Sequence, residues 1–344
     1  MVWNSLGLQG LRCALAILLC LGCSAQESDH AVVLLYHHVD TATPDSTSIS
    51  PDQFSRHLEF IASESYRVQP LQSLLEQLAS GQGVPQGSVA ITFDDGYASI
   101  LKNAAPLLQR RGWPFTVFVN PAQVGVSASY MSWRDLSEIK RMGGEIANHG
   151  FSHQRMAYPQ PGESPEAWRS RVEEEIESAQ EALEDRLGKP PPLFAYPYGE
   201  YSPALAALVD RLGYFGIAQH SGAVGFETNL QAIPRHAFHT GADDLSRLKE
   251  RLLTRPLTIR ADPPSGYLAP ADYLQLGLKV MTGDFDADRL ACYFQGSLLN
   301  GVAPPDFSVR IGPLRKGRNM VICTAPSLKE DGYHWWSHLI HHAE

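Results

Sequence analysis

Two adjacent carboxylates, Asp94 and Asp95, close the apolar run SVAITF and are followed by Gly96. Like charges side by side at the end of a buried strand repel each other unless a cation stands near. Farther along, NHGFSH carries His149 and His153, spaced i, i+4, which one helical turn would place on the same side. Either pattern alone is common: paired aspartates usually mark a solvated turn, and an HxxxH often joins core or surface histidines. Their conjunction says more. One carboxylate and two imidazoles, each expected at a strand end, make three protein ligands with room left for water. Zinc is the default ion, and cobalt, nickel or iron would also suit these donors. Neighbouring residues leaving a strand point to different sides, so one aspartate can ligate the ion while the other stands beside its water. The cation would keep both carboxylates ionised, and Gly96 would let the chain turn sharply after them.

The elements that must position these residues alternate. AVVLLYHHV reads as a strand covered on both faces. SPDQFSRHLEFIASES opens on a serine cap with proline at the first helical position. Strands are then expected at SVAITF, FTVFVN, EIANHG, PLFAYPYG, YFGIAQ and AIPRHAFH. Helices are expected at ASILKNAAPLLQRRG, SWRDLSEIKRMGG, SPEAWRSRVEEEIESAQEALEDRLG, SPALAALVDRLG and DDLSRLKERLL. Such alternation implies an α/β fold with parallel strands, either an open doubly wound sheet or a closed barrel. In both, chemistry collects where strands end and loops begin, and Asp95, His149 and Tyr198 all fall there. The stretch RADPPSGYLAP reads as a linker, and the short β-type runs after it as a small all-β domain.

The chain of 344 residues is 44% hydrophobic with a formal charge of −9, long enough for one large domain and a smaller one. Mild acidity without long charge runs argues against nucleic acid as a partner. Arg12 precedes CALAILLCLGC, too short to span a bilayer and read as an export signal, residues 1–25, cleaved after Ala25. Lipoprotein processing with a lipid anchor at Cys23 competes with that reading, and a short uncleaved anchor is the third. The processed chain would be periplasmic, an outer-membrane lipoprotein or extracellular. Cys292 and Cys323 would remain, a disulfide in an exported chain or else two buried thiols.

TFDDG (Thr92–Gly96), HGFSH (His149–His153) and YPYG (Tyr196–Gly199) resemble, in order and spacing, the first three motifs of the polysaccharide deacetylases, carbohydrate esterase family four, also called the NodB-homology domain. LLYHHV followed by ISPDQFSRHLEFI resembles the branch that acts on exported or cell-wall amino-sugar polymers. The resemblance implies a distorted (β/α) barrel over 30–262, with 263–344 as a small β domain that could bind carbohydrate. It further implies metal-assisted removal of N-acetyl groups from a polysaccharide: an exopolysaccharide, a chitin-like glycan or peptidoglycan. Asp94 would be the general base, Asp95, His149 and His153 the metal ligands, and the Tyr198 backbone N–H a donor to the oxyanion.

The family's third motif often begins with an arginine that steadies the base, and here Ala195 stands there. Its late histidine acid has no clean copy. AIPRHAFH offers Arg235, His236 and His239; on a strand Arg235 and His239 share a face and His236 takes the other. Arg235 turned inward would replace the missing arginine and bring His239 toward the chemistry; otherwise both histidines sit at the rim. His38, Tyr196 and Pro197 are the expected substrate contacts, with core packing the alternative for Tyr196 and Trp133. HWWSH reads as a sugar-binding patch or the core of the β domain, and RSRVEEEIESAQEALEDR as a solvated helix face. O-acetyl hydrolysis and a binding protein without turnover are the rival readings.

Overall fold

The computed structural model describes Met1 and residues 27–343. The expected signal segment and the Cys23 anchor lie outside the described residues. No helix among them is long and apolar enough to cross a membrane.

Six strands, β1 (His30–Tyr36), β2 (Ser88–Phe93), β3 (Phe115–Val119), β4 (Gly144–Asn148), β5 (Leu193–Ala195) and β6 (Phe215–Ile217), pair in chain order, all parallel. The ring closes through β7 (His236–Ala237), which pairs with β1 in parallel. The chain just before β7 bonds to the other edge: Ile233 N–H donates to Gly216, and Arg235 N–H donates to His220. The result is a distorted (β/α) barrel. Only two residues of AIPRHAFH form ladder pairs, because the closing segment changes neighbours within a few residues.

The strands read as continuous apolar runs because both faces are buried. Outward residues such as Val32, Leu34, Val89 and Ile91 pack against α1 (Pro51–Ser63), α3 (Ala105–Arg111), α4 (Trp133–Arg141) and α7 (Leu245–Leu252). Inward residues Ala31, Val33, Ala90, Phe118, Ala147 and Ala195 meet α2 (Leu71–Ala79), whose Leu71, Leu74, Leu75 and Leu78 plug one end. This helix was not expected from the sequence. Its apolar residues nonetheless follow the i, i+3, i+4, i+7 spacing of an amphipathic helix. With one end filled by leucines, polar inward residues collect at the other: Thr92, Asp94, His149 and Arg235. Ser50 caps α1 with Pro51 at its first position, as its sequence implies.

The C-terminal all-β domain is a sandwich. One sheet joins β8 (Arg255–Pro256), β15 (Tyr333–His342), β14 (Gly317–Pro326) and β12 (Ala291–Phe294), with β10 (Tyr267–Ala269) also on β15. The other contains β9 (Ile259–Asp262), β11 (Leu274–Val280) and β13 (Asp306–Ile311). The stretch expected as a linker is instead built into the sheets, since β9 and β10 lie in it and pair with C-terminal strands, and β8, before it, pairs with β15. Inward residues of both sheets, among them Leu276, Leu278, Val309, Val321 and Ile340, form its core. Cys292 and Cys323 face each other across β12 and β14 and are disulfide-bonded. HWWSH belongs to packing: Trp335 donates to Ser221 of the barrel, and Trp336 lies against the sandwich core.

Three histidines are buried where barrel meets sandwich. Burial, the largest cause in each, pushes His220 down to about 3 and His338 and His341 down to about 4. The Arg318 charge adds to the effect at His220 and His341. An unfolded histidine titrates near 6.5, so as pH falls the unfolded chain takes up protons first. Stability contributed by these neutral rings is complete above about pH 6.5 and is lost between there and about pH 3–4, on the order of several kcal/mol in sum. The urea midpoint is expected to fall from pH 7 to pH 4, with a shallower slope in His338→Gln; an unaltered slope would assign the loss to other groups.

Candidate active site

Asp94 continues the inward face of β2 one step past its end, and its N–H donates to the Tyr36 carbonyl at 3.1 Å. It is 2% exposed. Arg235, 1% exposed, turns inward from the closing segment. It grips Asp94 with two parallel bonds, Nη1 to Oδ1 and Nη2 to Oδ2, both 2.7 Å, while Nε donates to the Ala218 carbonyl at 2.8 Å. Burial alone would raise the Asp94 pKa, but the charges of Arg235 and His149 and the Arg235 hydrogen bonds outweigh it and hold the carboxyl below its ordinary value. Arg235 thus reaches Asp94 from the closing segment, where the side chain of Ala195 could not.

Asp95 points elsewhere. It has φ +70° and Gly96 has φ +66°, so two successive left-handed residues turn the chain away from the strand. Its Oδ1 lies 3.3 Å from Nε2 of both His149 and His153. Burial would raise its pKa, but hydrogen bonds from the two imidazoles prevail and hold it well below the carboxylate range. His149 follows β4, and its Nδ1 sits 2.8 Å from the Ala195 carbonyl, leaving Nε2 turned to Asp95. Ligand atoms of Asp95, His149 and His153 all lie within 4.8 Å of one another, a group that could hold a metal ion. The donor set fits: one carboxylate and two imidazoles, the buried one oriented through its other nitrogen by a carbonyl.

The helical turn expected between the histidines is not there. Residues 149–153 form a loop, with His153 at φ +60°. Glu175 of α5 (Pro165–Leu187) holds it: its Oε2 accepts from the N–H groups of Phe151 and Ser152 at 2.8 and 2.9 Å. Asn120 donates to the carbonyls of His149 and Gly150, and Asn148 accepts from Gly150 N–H. The charged stretch read as a solvated face therefore contains a buried carboxylate that fixes the site. The signal was available: Glu175 sits on the apolar stripe of Val172, Ile176 and Ala179.

The third motif corrects two expectations. Tyr196 is fully buried, its hydroxyl donating to the Gln231 carbonyl at 2.8 Å, and Pro197 is buried beside it. Neither offers a face to substrate. Tyr198 is the exposed aromatic; its left-handed φ of +60° swings the ring outward, edge-on to His153 at 4.5 Å. Of the five non-glycine residues with left-handed φ among those described, Asp95, His153 and Tyr198 are three. Each costs about 1–2 kcal/mol, a strain held by the surrounding bonds.

His38 is buried and stacks on Tyr97 at 3.5 Å, lining a cavity of about 430 Å³ with Asp40, Ser99 and Lys102. Its neighbour His37 shares the electrostatic surroundings of Asp94, Asp95, Arg235 and His149; burial, the largest cause, holds its pKa below the ordinary value against the pull of the aspartates. His239 is half-buried, its Nδ1 3.0 Å from the Thr240 carbonyl, and no contact among the described residues joins it to the aspartates. Trp133 packs partly buried on the outer core, with the Arg186 guanidinium over its ring.

Barrel and site together define a (β/α)-barrel protein with a carboxylate clamped by arginine beside a group able to hold a metal. The sequence profile of the polysaccharide deacetylase family matches residues 81–217, and the chain carries a deacetylase domain of that family, carbohydrate esterase family four. A poly-beta-1,6-N-acetyl-D-glucosamine N-deacetylase of Staphylococcus aureus is 24% identical over 194 residues, 55% of this chain and 67% of that protein. In fold the chain is similar to the deacetylase PplD of Streptococcus pyogenes, with TM-score 0.58 and 20% identity over 66% of this chain and 99% of that one. It is also similar to IcaB of Ammonifex degensii, with TM-score 0.57 and 22% identity over 66% and 98%.

Removing Arg235 would leave a buried, unpaired carboxylate. Arg235→Met is expected to lower stability by about 3–5 kcal/mol in urea melts. Asp94→Asn in the same chain should restore part of it; a double variant no more stable than Arg235→Met would mean the two side chains are not coupled.

Proposed function

We propose that this chain removes N-acetyl groups from an amino-sugar polysaccharide, using a divalent ion held by Asp95, His149 and His153. The observation that carries the reading is the split of the aspartate pair: Asp95 lies between the two imidazoles, while Asp94 is held ionised by Arg235. Zinc is the ion these donors favour. When bound, it would supply Lewis-acid polarisation of the acyl oxygen and a lowered pKa for the attacking water.

The chain's own groups do the rest. Asp94 accepts the proton of the attacking water, and Arg235 keeps the carboxylate oriented and charged for that task. The Tyr198 N–H donates to the oxyanion as the acyl carbon becomes tetrahedral. The departing amine needs a proton, and His37, which lies close to both aspartates and whose pKa burial holds below the ordinary imidazole value, is the group we assign to pass it on. His239 is the alternative donor, favoured only by sharing the closing segment with Arg235. His38 would contact the polymer from the cavity beside Tyr97. The S. aureus relative suggests poly-N-acetylglucosamine as the polymer. The leader, read as an export signal with or without a lipid anchor at Cys23, would deliver the enzyme to where such polymers lie.

Acetate release from poly-N-acetylglucosamine, chitin oligomers, peptidoglycan and O-acetylated xylan tests the reading. Acetate is expected from an N-acetylated polymer and should disappear with chelator. Asp94→Asn should lower kcat by at least about 10²-fold while metal content stays the same. His37→Ala should lower kcat far more than His239→Ala. Release from xylan alone would replace the reading with an O-acetyl esterase, and bound glycan without chelator-sensitive acetate would leave a binding protein.

A further inference from the structure

The rim of the site is not made by the barrel alone. Arg318, on β14 of the sandwich, donates through Nη1 to the carbonyl of Tyr198 and through Nη2 to the carbonyl of Gln219, the latter at 3.1 Å. These carbonyls belong to separate barrel loops, one after β5 and one after β6. The loops are pressed together: a Cβ on Gly199 would sit 2.2 Å from the Gln219 Cβ, and Gly199 itself has φ +63°. Two acceptors converging from different loops need one donor that reaches both, and a planar guanidinium with several N–H groups does so. Glu200 lies close enough to offset part of its charge.

We propose that Arg318 is a positioning residue for deacetylation, and that the sandwich thereby completes the active site. This rests on the reading that the Tyr198 N–H faces the acyl oxygen. That N–H belongs to the peptide between Pro197 and Tyr198. On one side the Gly199 N–H donates to the Tyr196 carbonyl at 2.8 Å, closing a tight turn with this peptide at its centre. On the other, Tyr198 is held in a left-handed conformation that few residues adopt alone, and its carbonyl is anchored by Arg318. The peptide plane is thus set from both ends. Freed of Arg318, the loop can relax to commoner backbone angles and turn the N–H off line. A donor that bonds the developing oxyanion more strongly than the ground-state carbonyl acts on kcat rather than on binding.

The competing role is a plain fastener between barrel and sandwich. Tyr158 serves as the control, because its hydroxyl donates to the Gly266 carbonyl across the same interface without touching the clamped loops. In the metal-loaded full chain, Arg318→Ala is expected to lower kcat about 10- to 100-fold with KM within about two-fold. Arg318→Lys should recover part of the loss, since one ammonium can reach one carbonyl, and Tyr158→Phe should keep wild-type kcat. Wild-type kcat in Arg318→Ala, or equal losses in Arg318→Ala and Tyr158→Phe, would overturn the proposal. Should the wild type release no acetate from any polymer, the failure belongs to the proposed reaction, and amide hydrogen exchange decides the clamp. The N–H groups of Gly199 and Glu200 donate to the Tyr196 and Pro197 carbonyls. Faster exchange there in Arg318→Ala than in Tyr158→Phe supports the clamp, and the same exchange in both sinks it.

Discussion

A carboxylate out of water must meet a positive partner or lose its charge, and this chain places two of them next to each other. The structure solves the problem twice, by different means. Asp94 receives a permanent cation, the guanidinium of Arg235, in a bidentate geometry that lysine could not reproduce. Asp95 receives two imidazoles, groups that can share it with a metal. Arg235 lies on the segment that closes the barrel, so charge pairing and barrel closure are the same event. The bond from Arg235 to the Ala218 carbonyl ties it to one edge, and the ladder from His236 to Leu34 ties its neighbour to the other.

The barrel interior is divided to serve this pairing. Leucines of α2 fill one end, and polar inward side chains gather at the strand ends. The low dielectric of the packed interior strengthens every interaction of Asp94 and Asp95. The same environment makes an error there costly. Buried Glu175, Asn120 and Asn148 accordingly use their hydrogen bonds on the histidine loop, where left-handed Gly150 and His153 would otherwise relax.

The sandwich is packed on the barrel through buried histidines, serines and Trp335, and its strands β8 and β9 start before the barrel's chain has fully left. An interface of this kind couples the two units. Loops at the barrel mouth are held partly by a side chain from the other unit, so the loop geometry depends on both.

Much was legible from local pattern. Periodicity set most barrel strands and helices, though not α2, Ser50 and Pro51 set the start of α1, and the residue types of Asp94, Asp95, His149 and His153 offered a metal-type donor set, because these are local properties of the chain. Strand alternation put Arg235 and His239 on one face without deciding which way that face points; the bonds to Asp94 and Ala218 turn Arg235 inward, and His239 does not follow it. The rest depended on contacts distant in sequence. The conformation of the histidine loop is decided by Glu175 and Asn120; the burial of Tyr196 by Gln231 and Tyr201; and the difference between His37, His38 and His239 by which ring meets which strand end. Local sequence specifies which groups are present and which face of an element they share. Only packing decides which of those faces is desolvated, and desolvation gives each charged or polar group its partner.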